Sequence, residues 1–205
     1  MAVTIEYEYN LPDVDHAHGY LMPTVERVLG QIGREAAIFE LGCGNGANAG
    51  YLSSKGYTVI GVDPSTSGIA IAKENFPNCQ LELGSTEDDL AERFGQFDVV
   101  LSLEVVEHVY SPKQYAEVVR DLLKPSGIAI ISTPYHSYLK NLALALSGRM
   151  DGHFTALWEG GHIKFWSPKT LSSLFEDAGF ESIGLYRVGR VPALAKSMIM
   201  IFQRR

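Results

Sequence analysis

Apolar residues in this chain fall in short runs separated by stretches of helical spacing, and that alternation predicts its elements. Leu21, Val25, Val28, Leu29 and Ile32 recur three or four apart, so residues 19–33 read as an amphipathic helix. An apolar run at 37–41 opens into Gly42-Cys43-Gly44-Asn45-Gly46, and a second run at 58–62 ends at Asp63. Short runs bounded by turn residues predict buried strands, here with a helix between them. Residues 67–75 read as helix, 79–83 as a third strand and 97–101 as a fourth. Residues 112–123 begin with proline and stop at Lys124-Pro125-Ser126-Gly127, which predicts a helix, followed by a fifth strand at 128–132.

The rhythm breaks at 134–166. This stretch is long for a connection and holds Tyr135, Tyr138, Phe154, Trp158, Phe165 and Trp166, so it reads as a partly helical insertion over the active site. Ser167-Pro168 and Gly179 bracket a last helix at 167–178. Two strand-like runs follow, at 180–187 and 197–203. Their connection, 188–196, contains Gly189 and Pro192 and no convincing helix, so they are expected to pair antiparallel. The preceding helix–strand alternation argues for a mostly parallel sheet covered on both faces.

Composition narrows the picture. A chain of 205 residues with 46% hydrophobic content reads as one domain over 1–205, with 1–34 as a leader and helix. Cys43 and Cys79 give neither a metal spacing nor a disulfide framework, which suits a reducing compartment and predicts a cytoplasmic protein. Residues 1–7 lack the basic and apolar regions of a signal peptide, and no apolar stretch is long enough to span a bilayer. The formal charge of −7 argues against a nucleic-acid partner and favours a small molecule. Oligomeric state is not legible.

Glycines at alternate positions let backbone N–H groups approach a ligand, and a carboxylate at the next strand tip can accept from both hydroxyls of a ribose. Residues 40–63 therefore read as a nucleoside-binding site. Gly42-x-Gly44-x-x-Ala47 also fits the dinucleotide fingerprint loosely, which keeps a nucleotide-dependent oxidoreductase as an alternative. Glu40 weighs against it, because a pyrophosphate offers no cation to an acid at this place.

The run from Glu40 to Gly46 resembles the first motif of class I S-adenosylmethionine-dependent methyltransferases, in which an acid two residues before the first glycine helps anchor the methionine ammonium. Phe97-Asp98-Val99-Val100, Leu103-Glu104-Val105-Val106-Glu107-His108-Val109, Leu123-Lys124-Pro125-Ser126-Gly127 and Ser132-Thr133-Pro134 are similar to the quinone-ring O-methyltransferase branch, of the methyltransferase type 11/23 domain. The resemblance covers about 36–183 and departs at Ser126, where glycine is usual. It implies an α/β, Rossmann-like doubly wound sheet with strand order 3-2-1-4-5-7-6, strand 7 antiparallel and helices on both faces. It also implies that Gly42, Gly44 and Gly46 bring backbone against the methionine part, that Glu40 orients the ammonium and that Asp63 holds the ribose. Thr86 and Glu87 become candidates for adenine contact or, alternatively, for a helix N-cap. Leu103 is expected beside the reacting centre.

Glu104, Glu107 and His108 stand at i, i+3 and i+4, and share one face if the segment starts a helix. The same run resembles metal-coordinating residues in quinone-ring O-methyltransferases and in small-RNA 2′-O-methyltransferases, where a further histidine lies downstream before an aromatic-rich segment, as His162 does. This implies a divalent Mg, Mn or Zn ion held by Glu104, Glu107, His108 and His162 and acidifying an acceptor hydroxyl. Related enzymes also carry a Glu-His pair without metal, which leaves His108, His162 and Glu104 as direct catalytic candidates. His136 and His153 are bases or solvent-facing residues, and His16 and His18 belong to a flap or an exposed leader. The expected activity is O-methylation of a small-molecule acceptor by in-line transfer. Alternatives are N- or C-methylation and a non-catalytic donor-binding module.

Overall fold

The computed structural model describes Tyr9, residues 17–158 and residues 160–205, so His16 lies outside it. Its strands are β1 Ala37–Leu41, β2 Thr58–Asp63, β3 Gln80–Leu83, β4 Phe97–Leu103, β5 Leu123–Pro134, β6 Phe180–Val188 and β7 Ser197–Arg204. They form a seven-stranded sheet in the order β3-β2-β1-β4-β5-β7-β6. Strands β1 to β5 pair parallel, and β7 runs antiparallel between β5 and β6. Order and direction are those that the resemblance implied.

The physical cause is visible in the strands. Residues 99–103 of β4 and 38–41 of β1 are all buried, as parallel strands covered on both faces require. Successive side chains point to opposite faces, so Phe39, Val100 and Phe202 enter one core cluster while Ile38, Leu101 and Ile201 enter another. The first cluster lies under α5 (Pro112–Asp121) and α8 (Pro168–Asp177), and the second under α1 (His18–Ile32), α2 (Ala47–Ser54) and α3 (Thr66–Asn75). Helix α8 starts with Pro168 after a capping box between Ser167 and Thr170, and it drives Phe175 flat onto Phe202 at 4.2 Å between ring centroids. The edge strand β6 alternates between exposed and partly buried positions.

Several details depart from the sequence pattern. A short α4 (Leu90–Phe94) starts a few residues beyond the N-cap that the sequence offered at Thr86 and Glu87, capped instead by Asp89, whose side chain accepts from the Glu92 amide at 2.9 Å. Strand β5 begins at Leu123, which pairs with Phe97 before a register shift and a left-handed Ser126 (φ 62°). Residues 134–166 hold α6 (Tyr138–Leu146) and α7 (Met150–Phe154), neither with a buried residue. Tyr135 and Trp166 instead join the core, Trp166 donating from Nε1 to the Val106 carbonyl at 3.1 Å. A single 3-10 turn, Pro192–Leu194, interrupts the connection between β6 and β7. The C-terminal ends of β1, β2, β4 and β5 meet at one edge, where the glycine loop, the turn after β3 and the segment after β4 converge. Such an edge is where open α/β sheets bind ligands.

Candidate functional site

Gly42 and Cys43 hang from the Val62 carbonyl through amide bonds of 2.8 and 3.0 Å, which turns the chain sharply out of β1. Gly42, Gly44 and Gly46 all take positive φ (84°, 52° and 78°), a region that side-chain-bearing residues rarely enter. At Gly46 a Cβ would also lie 2.7 Å from Leu81 and 2.9 Å from Ala72, so this glycine seats α2 on the core. At Gly44 the space beyond the backbone is taken by the ring of Tyr9, whose amide donates to Ser67 Oγ at 3.1 Å. Nothing in the sequence pattern singled out Tyr9.

Asp63 ends β2 and is buried. Its two carboxylate oxygens accept from the Gly44 and Ser65 amides, each at 2.9 Å, so it latches the glycine loop to the start of α3. Glu40 is fully buried below the loop, and neither of its oxygens has a hydrogen-bond partner among the described residues. Burial, reinforced by the nearby Asp63 charge, raises its pKa to about 8, while Asn48 and the Ala49 amide sit near enough to oppose the shift. Asn48 is itself held by His18, whose Nδ1 lies 2.7 Å from its Oδ1, so His18 belongs to the packing of α1 on α2. Thr86 and Glu87 lie in the turn after β3. The Thr86 carbonyl accepts from Gln114 at 2.8 Å and the Glu87 amide donates to Ser85 Oγ at 3.1 Å; the cap of α4 is Asp89, not either of them. Leu103 is buried at the end of β4.

The segment after β4 is not the helix that the spacing suggested. Glu104 takes a left-handed φ of 55°, and residues 106–108 form a turn closed by the His108 amide on the Val105 carbonyl at 2.9 Å. Glu104 is thereby turned to the sheet edge, where Ser132 and Ser197 donate to its two oxygens at 2.7 and 3.1 Å. The expected four-residue set is corrected accordingly. Glu107, His108 and His162 come together, with potential ligand atoms within 4.8 Å of one another, and Glu104 is not part of that group.

His162 reaches the group because the Glu107 carbonyl accepts the Ile163 and Lys164 amides, both at 3.0 Å, clamping the end of the insertion beneath the turn. His162 Nε2 stands 4.0 Å from Glu107 Oε1, and the two imidazole centroids are 4.9 Å apart. His108 Nδ1 lies 2.8 Å from the Gly160 carbonyl, which can only accept; Nδ1 therefore carries the proton and Nε2 keeps its lone pair. Both Glu107 oxygens are buried without a hydrogen-bond partner among the described residues. Burial, then the Glu104 charge, holds the Glu107 carboxyl well above its ordinary range. Burial lowers His108, and burial together with the neighbouring His108 brings His162 down to about 4. Desolvation thus outweighs the mutual attraction of the 4.0 Å pair, leaving neutral groups that a dication would draw into their ligand forms. Trp158 flanks the group, its ring 5.5 Å from His162. His136 and His153 pack with Phe154 and Phe165, all four rings at centroid distances of 5.0 to 6.0 Å.

The chain is 35% identical over 153 residues to the ubiquinone biosynthesis O-methyltransferase of Dinoroseobacter shibae, a match covering 71% of this chain and 60% of that relative. The protein of the same description from Ruegeria pomeroyi is also 35% identical over 153 residues, with the same coverage. The chain thus spans about 60% of the length of these curated relatives. Among solved structures, the magnesium protoporphyrin IX methyltransferase of Synechocystis PCC 6803, with S-adenosylhomocysteine bound, superposes with a TM-score of 0.67 at 18% identity, covering 90% of this chain and 81% of that one. At that identity the likeness speaks for the fold. A family model described as a methyltransferase domain matches residues 14–184, and the chain belongs to that family.

Proposed function

We propose that this chain transfers a methyl group from S-adenosylmethionine to an oxygen of a small-molecule acceptor. The observation that carries the donor is Glu40: a buried carboxylate without a hydrogen-bond partner among the described residues, beneath a glycine loop, calls for a cation, and the methionine ammonium supplies one. In this reading Gly42 and Gly44 face the methionine part, Gly46 positions α2 behind them, and Leu103 borders the reacting sulfonium. Asp63, latched by the Gly44 and Ser65 amides at the tip of β2, holds the ribose in this reading. Thr86 and Glu87 lie on the adenine side. Oxygen is favoured as acceptor because the curated relatives are named O-methyltransferases and because the acceptor-side groups manage a proton.

Glu107, His108 and His162 fit a divalent ion such as Mg, Mn or Zn, judged by the orphaned Glu107 carboxylate and the imidazole tautomer at His108. When bound, such an ion would lower the pKa of an acceptor hydroxyl. The protein's own part is to aim His108 through Gly160, to hold His162 through the Glu107 carbonyl, and to place the insertion 134–166 over the acceptor. Transfer then needs acceptor oxygen, methyl carbon and sulfur held in line, an effect that can lower a barrier by roughly 7–11 kcal/mol. Glu104, tied to two serines, fixes the turn.

The test is methyl transfer to phenols and catechols, with amine acceptors alongside, after chelation and metal add-back. Turnover on the hydroxyl acceptors is expected to fall on chelation, return with metal and be lost in His162→Ala, while S-adenosylhomocysteine binding is unchanged. Full turnover in verified metal-free enzyme would reject the ion, and transfer to amines alone would reject the oxygen acceptor.

A further inference from the structure

Lys140, Asn141 and Leu144 are the partly buried residues of α6 and turn toward the protein, while Tyr138, Leu139, Leu142 and Leu146 face outward. At about 100° per residue the three inward positions share one arc of roughly 100°. The start of the helix is fixed by Ser137, whose Oγ accepts from the Lys140 amide and donates to the Ala193 carbonyl, both at 3.1 Å. Lys140 thereby folds back over the end of β5, and its Nζ donates to the Tyr135 carbonyl at 3.1 Å. An ammonium has three N–H donors, so two remain for another partner at this half-buried place.

The groups around that ammonium are neutral or cationic. His136 stacks on Phe154 with ring planes 13° apart and meets Phe165 and His153 edge-on, at 5.1 and 6.0 Å. Its Nδ1 and the Asn141 Oδ1 are buried without a hydrogen-bond partner among the described residues. Burial lowers the pKa of His136, His153 and His162, and the Lys140 charge adds to the shift in each, so all four side chains share one space beside the Glu107 turn. Arg190 is a second cation acting on Lys140. The carboxylate that acts on Lys140, Glu104, is already held by Ser132 and Ser197. Among the described residues neither Lys140 nor Arg190 is in an ion pair, and residues 134–150 and 187–196 contain no acid.

A half-buried ammonium without a carboxylate partner, next to polar atoms that lack partners too, calls for an anion as Glu40 calls for a cation. We infer that Lys140, with His136 and Asn141 beside it, binds an anionic oxygen group, a carboxylate or a phosphate, that the acceptor carries in addition to the hydroxyl that is methylated. Lys140 supplies the charge, neutral His136 supplies an N–H from Nδ1, and rotation of the Asn141 amide presents Nδ2 in place of Oδ1. Phe154 and Phe165, edge to face at 5.1 Å, wall the same space and suit a flat ring between the anion and the hydroxyl. The site presupposes transfer to an acceptor oxygen, as proposed above, and selects among such acceptors.

Four ring-matched compounds test it on the whole chain: catechol, 3,4-dihydroxybenzoate, 3,4-dihydroxybenzylphosphonate and 3,4-dihydroxybenzylamine. The kcat/KM of the better anion is expected to exceed that of catechol by about tenfold or more, with the amine poorest, and which anion is better tells a carboxylate site from a phosphate site. Lys140→Met is expected to bring that ratio close to one, and Lys140→Glu to invert it in favour of the amine, an exchange that a purely structural lysine would not produce. Unchanged thermal midpoint and S-adenosylhomocysteine affinity confirm that the variants fold. Calorimetric binding of the same four compounds to the S-adenosylhomocysteine complex reads the site without turnover. Anion-selective binding that depends on Lys140, in a chain that methylates none of the four, would reject transfer to oxygen and uphold the anion site. Equal use and equal binding of catechol and both anions overturns the proposal, as does an anion preference that Lys140→Met leaves intact.

Discussion

Glu40 concentrates the energetics of the donor side in one residue. Its folded pKa of about 8 lies above the ordinary 4.5, so between these values the folded chain holds a proton that the unfolded chain has lost. Stability therefore falls as pH rises through that window, by a total on the order of 5 kcal/mol once above it. Glu40→Gln is expected to raise the denaturation midpoint of the free chain at pH 8 and leave it nearly unchanged at pH 4. The same substitution should weaken S-adenosylhomocysteine binding by roughly 10- to 100-fold, the loss of a charge-assisted contact. Since the ammonium needs the ionised acid, donor affinity of the parent chain should rise with pH, by about tenfold per unit at most, until near pH 8. Calorimetric titration across that range checks it, and a flat profile would place the ammonium elsewhere. Asp63 is a less selective probe, because Asp63→Ala removes the Gly44 and Ser65 latch together with any ribose contact.

Elements differ in how they hold their residues. Residues 160–164 are set by backbone contacts, and a Cβ at Gly161 would lie 2.9 Å from the Trp158 carbonyl. Gly161→Ala should therefore move His162 without touching a buried apolar group, lowering turnover roughly 10- to 100-fold with donor affinity and thermal midpoint little changed. Parallel kinetics and calorimetry separate the two effects. Helix α8 works through packing: Phe175 stacks on Phe202 and meets Phe180 edge-on at 5.2 Å. Phe175→Ala should cost about 3–5 kcal/mol in denaturant unfolding. The sequence signals for α8, a Ser-Pro start and a closing glycine, were local and therefore legible. Helix α4 was legible only as a possible N-cap at Thr86 and Glu87, because Leu90 is its one buried residue and leaves no periodicity to read. The spacing of Glu104, Glu107 and His108 misled for the opposite reason, since a helical repeat over five residues carries no information about a left-handed φ at Glu104.

At the scale of the molecule, one continuous seven-stranded sheet joins the donor side to the antiparallel β6–β7 hairpin. Unfolding is expected to be a single transition by circular dichroism and by tryptophan fluorescence. S-adenosylhomocysteine at about 100 times its Kd should shift both signals together, adding about 2.7 kcal/mol. Two separated transitions would show the hairpin to be an independent unit. The sequence alone determined the strands, the glycine loop with its flanking acids and, through family likeness, the sheet order. These depend on short-range causes: apolar runs bounded by turn residues, three-to-four-residue periodicity, the backbone freedom of glycine, and an acid at a fixed offset from it. Only the tertiary structure decided that Glu107, His108 and His162 meet while Glu104 is drawn off by Ser132 and Ser197, that Tyr9 rests on Gly44, and that the apolar face of α6 points outward. Those outcomes hang on single contacts between distant segments, such as the Glu107 carbonyl accepting two amides of the insertion, and a contact of that kind leaves no periodic trace in the chain.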